Sequence, residues 1–145
     1  MESNGKVAKA QVTINASAEM VWNALVDPKI IKEYMFGATV SSQWTPGSKI
    51  VWKGEWKGKA YEDRGVIIQI TPKKILQYTH FSPLSGQADI PENYHTVTME
   101  LVDNQKSTQI FLSQDKNASE DERKHAEENW STMLKSLKKI LESGN

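Results

Sequence analysis

The sequence predicts an α+β fold in which a strongly curved antiparallel sheet wraps around one long C-terminal helix. Three observations support this prediction: a long helical segment without Gly or Pro near the end of the chain, several preceding segments with alternating apolar and polar residues, and two short helical segments after the first strand. Each strand has one apolar face and the helix has one apolar stripe, so this packing buries both. We expect a single domain over residues 1–145.

The first strand and the two short helices are predicted in residues 6–37. Small and branched apolar residues alternate with polar ones over Lys6–Ile14, which is typical of a half-buried strand. Residues 18–26 have apolar side chains at helical spacing. A second short helix begins at Asp27, a favourable N-cap residue, with Pro28 at the first helical position, and Gly37 ends it.

Six further segments alternate between apolar and polar residues, so we expect a sheet of about six to seven strands. These segments are residues 38–44, 49–57, 60–71, 74–81, 94–102 and 106–114. A longer connection, residues 82–93, contains Pro83, Gly86 and Pro91 and is either a lid or an ordered turn.

The last helix is predicted over residues 119–141. Ser119 and Glu122 have the spacing of a capping box, and Gly144 follows the helix, where a left-handed residue can end it. Acidic residues lie in the first turn and lysines toward the end, as the helix dipole favours. One stripe of the helix is apolar: Ala126, Trp130, Met133, Leu134, Leu137, Ile140 and Leu141.

Composition excludes several classes of function. Lys plus Arg and Asp plus Glu number 18 each, so no excess of charge favours nucleic acid or anionic lipid as a partner. The chain has no cysteine, which excludes disulfides, thiol nucleophiles and cysteine zinc sites. No apolar run approaches the roughly 20 residues of a membrane span, and residues 1–6 lack a signal pattern. We therefore expect a cytoplasmic protein.

Several motifs resemble those of the START/Bet v 1-like (SRPBCC) helix-grip superfamily. Residues 14–28 resemble its opening strand and helices. The chain is more closely similar to single-domain homologues of the C-terminal domain of the Hsp90 ATPase activator (AHSA1-like). The motifs that carry this similarity are Trp52-Lys-Gly-Glu-Trp56, Tyr61-Glu-Asp-Arg-Gly65, residues 78–86, residues 91–98 and Asn129-Trp130. The resemblance implies the helix-grip fold over nearly the whole chain.

The resemblance also implies a cavity between the sheet and the C-terminal helix, where members of the superfamily hold lipids, polyketides or plant hormones. Apolar walls are expected from Trp52, Trp56, Tyr78, Met99, Trp130 and Met133. His80 ends one strand and His95 begins the next, so we expect the two imidazoles near each other beneath residues 82–93.

Glu62 and Arg64 are the remaining polar candidates. If Val66, Ile68 and Ile70 face the core, strand alternation places both charged side chains on the cavity side. The alternative is a structural ion pair or a solvated strand end. These assignments depend on strand register, because a slip of one residue exchanges the two faces.

We expect neither a metal nor a cofactor, because the two histidines lack a convincing third ligand. The chain has no Gly-rich phosphate loop, nucleophile elbow or His-Glu-x-x-His motif. The leading hypothesis is therefore a non-enzymatic protein that binds a small hydrophobic or amphipathic ligand. One alternative is an interaction domain for an Hsp90-type chaperone, and another is a polyketide-cyclase-like enzyme using His80, His95 and Glu62. We expect a monomer or a weak dimer.

Overall fold

The structure, a computed structural model, describes residues 6–143. Seven antiparallel strands form one sheet, and their bounds are β1 (Lys6–Ile14), β2 (Thr39–Ser42), β3 (Lys49–Trp56), β4 (Lys59–Thr71), β5 (Ile75–His80), β6 (His95–Asp103) and β7 (Thr108–Asn117). The order across the sheet is β1-β7-β6-β5-β4-β3-β2. The first strand therefore pairs with the last, and β2 forms the opposite edge.

Within residues 6–143, two short 3-10 helices (Pro83–Ser85 and Pro91–Asn93) lie between β5 and β6, and three α-helices accompany the sheet: α1 (Ala18–Leu25), α2 (Pro28–Tyr34) and α3 (Glu120–Ser143). Each begins at a capping side chain, because the Oγ of Ser17, a carboxylate oxygen of Asp27 and the Oγ of Ser119 accept hydrogen bonds from backbone N–H groups of the first turn. Gly144, predicted to end the last helix, lies outside the described residues. No helix within residues 6–143 has the length and apolarity needed to cross a membrane. The predicted α+β helix-grip fold is confirmed.

The sheet curves around α3 and encloses the core. Leu134 and Leu137 of the helix are fully buried against the inner face of the sheet, in the same cluster as Ile14 of β1 and Ile110 of β7. The C-terminal half of α3 therefore fills the space between helix and sheet. Its N-terminal half does not, and the candidate site lies there.

The predicted register of β4 is wrong. Ile67 is 1% exposed and faces the core, whereas Val66 and Ile68 are 40% and 45% exposed on the outer face. A register shift between Ile67 and Gln69 then allows Ile70 to pack against the core as well. A β-bulge of this kind breaks the two-residue alternation, so the apolar run of residues 66–70 could not be assigned to one face from sequence.

The turn between β3 and β4 fixes this register. Lys57 and Gly58 both have positive φ, 53° and 79°, as in the two-residue turn that matches the twist of a hairpin. The turn pairs Trp56 with Lys59, and counting back along the hairpin pairs Trp52 with Asp63. Residues directly opposite in an antiparallel pair share a face, so Asp63 lies on the inner face with Trp52.

Candidate functional site

A cavity of about 570 Å³ lies between the inner face of the sheet and the N-terminal half of α3. Strands β3 to β7 contribute its floor, and α3 contributes one wall from Glu122 to Met133. Ser82, Leu84 and Ser85, from the connection between β5 and β6, close one side. The cavity is therefore built from many elements of the fold.

The larger part of the cavity surface is apolar. The rings of Trp52 and Tyr78 pack together with their centroids 5.2 Å apart, and both side chains are buried. Burial raises the pKa of Tyr78, with a further contribution from Tyr34, so its phenol stays neutral. Trp130 and Met133 face these rings from α3. Such walls suit an apolar or aromatic ligand.

Asp63 and His80 form a hydrogen-bonded pair inside the cavity. The Nε2 of His80 lies 2.9 Å from the Oδ2 of Asp63, and the His80 ring stands edge-on to Trp52 at 5.0 Å. The second oxygen of the carboxylate, Oδ1, is shut off from solvent and has no hydrogen-bond partner. A buried carboxylate oxygen without a donor is unfavourable, so a hydrogen-bond donor at this position would be stabilising.

His95 completes the polar cluster, a name we use for Asp63, His80 and His95. The two strands pair His80 directly with His95, and their rings stack with centroids 6.5 Å apart. The Nδ1 of His95 lies 2.8 Å from the backbone oxygen of Asp115. A carbonyl oxygen only accepts, so Nδ1 is the nitrogen that carries the proton in neutral His95.

Amide side chains hold the α3 wall against β7. The indole Nε1 of Trp130 donates to the Oε1 of Gln114 over 2.7 Å, and the Nε2 of Gln114 donates to Asn117 over 3.1 Å. Asn117 is fully buried and in turn donates to the backbone oxygen of Lys6. Trp130 is thereby fixed in orientation at the cavity.

Six of the ten residues predicted for the cavity line it: Trp52, Tyr78, His80, His95, Trp130 and Met133. Met99 instead lies in the packed core, beside a separate void of about 10 Å³. The side chain of Trp56 lies outside the part of the chain that the structure describes.

Glu62 and Arg64 lie on the outer face of β4, because the register differs by one residue from the predicted one. Glu62 is 3.8 Å from Lys53, and the guanidinium of Arg64 bonds Asp89. Their placement on the cavity side is therefore wrong, and the predicted alternative, structural or solvated charges, describes them.

Sequence reasoning missed several residues of the cavity: Tyr61, Asp63, Gln114, Glu122 and His125. Tyr61 and Asp63 were not predicted because the assumed register of β4 placed them on the outer face. The two-residue turn at Lys57-Gly58 is the sequence signal that gives the correct register. His125 was not predicted because it lies outside the apolar stripe of α3, one position before Ala126. With His125, all three histidines of the chain line this cavity.

A carboxylate hydrogen-bonded to an imidazole has two chemical uses. It can orient and polarise the imidazole for proton transfer, or it can bind a polar group of a ligand. The charge of Asp63 also contributes, after burial, to raising the pKa of Tyr61. Within residues 6–143, no group of three or more His, Asp or Glu side chains is arranged to hold a metal ion. The hydrogen bond between Asp63 and His80 favours acid–base or hydrogen-bonding chemistry at this site.

Comparison with protein families gives a match over most of the chain. The model of the family described as Activator of Hsp90 ATPase homolog 1-like protein matches residues 15–142. No curated protein matches the chain.

Solved structures share the fold. The solution structure of a protein from Cytophaga hutchinsonii is 58% identical, with a TM-score of 0.86, and the match covers 99% of this chain and 98% of that one. The Aha1 dimer from Colwellia psychrerythraea is 21% identical, with a TM-score of 0.75 and coverage of 97% and 98%. A protein of the dynemicin biosynthetic locus is 16% identical, with a TM-score of 0.78. That match covers 96% of this chain but only 48% of the other protein. The last two similarities concern the fold alone.

Proposed function

The chain belongs to the family of Activator of Hsp90 ATPase homolog 1-like proteins, and from this premise we propose that it is a cytoplasmic protein that binds a small hydrophobic or amphipathic molecule between the sheet and α3. The observation that carries the proposal is the cavity of about 570 Å³ with apolar walls and a cluster of polar groups. Small-molecule sites have this size and composition, roughly 300–1,000 Å³ with few polar groups.

The way in which the cavity is built also supports binding. Its apolar walls come from β3, β5 and α3, and Trp130 is held in place by Gln114. Ordered aromatic walls reduce the entropy lost when a ligand binds. A carboxylate–imidazole pair alone does not define a reaction, so we propose binding rather than catalysis.

Native mass spectrometry of the protein purified from its own host, followed by solvent extraction, tests this proposal. We expect a defined small apolar mass on the wild type. A Met133→Trp variant should lose that mass, because the larger side chain projects from the cavity wall into the space that the ligand occupies. The control is Lys139→Trp, which adds the same side chain on an exposed position of α3.

A second measurement tests the cavity even if the natural ligand is lost during purification. An environment-sensitive apolar dye should bind the wild type and the Lys139→Trp variant but not Met133→Trp. Absence of both a bound mass and dye binding in the folded wild type would contradict the proposal. Equal dye binding by Met133→Trp would place the bound molecule outside this cavity.

A second candidate function is interaction with an Hsp90-type chaperone. It is favoured by the description of the family and by the outer face of the sheet, where Val102 and Phe111 are about 40% exposed. A depression on that face runs beside Phe111 and includes charges of both signs, from Lys9 and Glu100. Apolar groups with a charged surround are typical of protein interaction surfaces.

Pull-down and ATPase assays with the Hsp90 of the same host test this second function. We expect binding and a faster ATPase, both reduced by Val102→Lys with Phe111→Lys and both retained by Met133→Trp. No change in ATPase rate at an excess of the protein would count against chaperone activation.

A further inference from the structure

We propose that the molecule bound in the cavity carries a hydrogen-bond donor, a hydroxyl or an ammonium group, and that Asp63 is the residue that accepts from it. This inference rests on the proposed binding function and names the ligand class. The juxtaposition that carries it is Asp63 in the lining of a mostly apolar cavity, beside His80 and His95, with its buried Oδ1 left without a partner.

Of the two carboxylate oxygens of Asp63, one accepts a hydrogen bond and the other does not. Its Oδ2 accepts from His80 at 2.9 Å, whereas its Oδ1 meets no donor. The side chain retains 15% exposure, and its terminal torsion belongs to the broad class that turns easily. A partial rotation about this torsion can bring the unpartnered oxygen toward a donor in the cavity. A ligand that supplies the donor removes the penalty of the unsatisfied oxygen.

The two imidazoles add further acceptors rather than donors. His80 donates through Nε2 to Asp63, and His95 donates through Nδ1 to the oxygen of Asp115. A neutral imidazole has only one N–H, so the remaining nitrogens, Nδ1 of His80 and Nε2 of His95, are acceptors. All three side chains of the polar cluster can therefore accept hydrogen bonds from a ligand, and of these acceptor atoms only Oδ1 of Asp63 is buried without a partner.

The charges around the cavity agree with this conclusion. Among the described residues that line it there is no Lys or Arg, while Asp63 and Glu122 are carboxylates. A ligand with its own carboxylate would meet the like charge of Asp63 with no Lys or Arg among the described lining residues to compensate it, which is unfavourable at low dielectric. The site is therefore unsuited to fatty acids and similar anions.

Three probes that share one alkyl chain and differ in headgroup separate these possibilities: decanol, decylamine and decanoate. Competition against the apolar dye at neutral pH gives their affinities for the wild type. We expect decanol and decylamine to bind at least about tenfold more tightly than decanoate, a difference of about 1.4 kcal/mol, since only the first two can donate a hydrogen bond to Asp63. Equal binding of all three would overturn the inference and leave the binding function standing. Failure of every probe and of the dye would instead contradict the binding function.

An Asp63→Asn variant tests the role of the residue itself. It removes the negative charge at nearly constant volume, so decylamine binding should fall by about tenfold and decanoate binding should rise. The matched control is Glu62→Gln, the neighbouring carboxylate on the outer face, which should leave the ranking unchanged. Amide NMR spectra establish that each variant is folded. If folded Asp63→Asn binds decylamine as tightly as the wild type does, Asp63 is not the acceptor. If Asp63→Asn does not fold, the wild-type ranking of the probes still decides the ligand class.

Discussion

Gly65 lies where the backbone of β4 runs against the backbone of β5. A Cβ atom built at this position would lie 1.7 Å from the carbonyl oxygen of Thr79. No side chain can be accommodated there unless the two strands separate. The close approach also allows the backbone N–H of Val66 to donate to the Oγ1 of Thr79 at 2.9 Å. One glycine therefore determines the strand contact just above the polar cluster.

We predict that Gly65→Ala destabilises the protein by about 1–3 kcal/mol, the range expected when extra atoms are forced into a packed site. Urea unfolding followed by circular dichroism measures the change. Gly54→Ala is the control, because its Cβ would meet the ring of Tyr61, a side chain that can turn away. The explanation fails if the two variants lose the same stability.

Asp89 holds residues 82–93 against the sheet. Its Oδ1 accepts from the hydroxyl of Tyr94 at 2.6 Å, and its Oδ2 accepts from the guanidinium of Arg64 at 2.6 Å. The ring of Tyr94 stacks on Phe81, with centroids 5.1 Å apart. The hydrogen bonds from Tyr94 and then from Arg64 lower the pKa of Asp89. This contact explains why the connection is an ordered turn.

We predict that acid releases this connection. Because the pKa of Asp89 is lower in the folded state, its contribution to stability is complete above its unfolded pKa and is lost as the pH falls through its folded pKa. Amide exchange in residues 86–94 should therefore accelerate only in strong acid. An Asp89→Asn variant should exchange rapidly at all pH values, and wild-type exchange that is independent of pH, after correction for intrinsic rates, would refute the assignment.

At the scale of elements, α3 protects the edge strand β1 as well as burying the core. Glu127 accepts from the backbone N–H of Lys9 at 3.0 Å, and Glu142 accepts from that of Asn15 at 2.7 Å. Between them, Lys138 donates to the backbone oxygen of Thr13 at 2.9 Å. Unpaired groups of an edge strand attract further strands, so these side chains block strand addition at β1.

We predict that a Glu127→Gln, Glu142→Gln double variant is less stable at neutral pH and loses less stability in acid than the wild type. Hydrogen bonds from the backbone N–H groups of Lys9 in β1 and of Asn15, directly after β1, are the main cause of the lowered pKa of Glu127 and Glu142 respectively. Their contribution is therefore present above the unfolded pKa and lost as the pH falls through the folded one. Urea midpoints from neutral to acidic pH measure it. Glu128→Gln, on an exposed position of α3, is the control and should follow the wild type.

At the scale of the whole molecule, the cavity joins parts that are distant in sequence. Asp63 comes from β4, His95 from β6 and Met133 from α3. A ligand in contact with all of them binds only when the sheet and the helix are assembled. Binding should therefore stabilise the entire fold rather than one element.

We predict that a bound amphiphile raises the melting temperature. At a free ligand concentration about 100 times the Kd, the expected gain is about 2.7 kcal/mol. Thermal unfolding with increasing decanol measures the shift. Met133→Trp should show no shift and Lys139→Trp the full one, and equal shifts in both variants would exclude this cavity as the site.

The sequence alone determined the elements and their packing. The apolar stripe of α3 predicted Leu134 and Leu137 in the core, and alternation in residues 94–102 placed His95 on the inner face with Val97. Both patterns are clear because apolar and polar residues separate at the period of the element. The family resemblance then supplied the position of the cavity.

Only the tertiary structure decided which face of β4 lines the cavity. Apolar residues occupy both faces over residues 66–70, and a bulge between Ile67 and Gln69 changes the alternation within the strand. The assignment of Asp63 rather than Glu62 thus depended on pairing with β3 through the Lys57-Gly58 turn. Pairing between β3 and β4 determines which face of the sheet each residue of β4 occupies. The composition of β4 alone cannot show this, because both of its faces carry apolar residues.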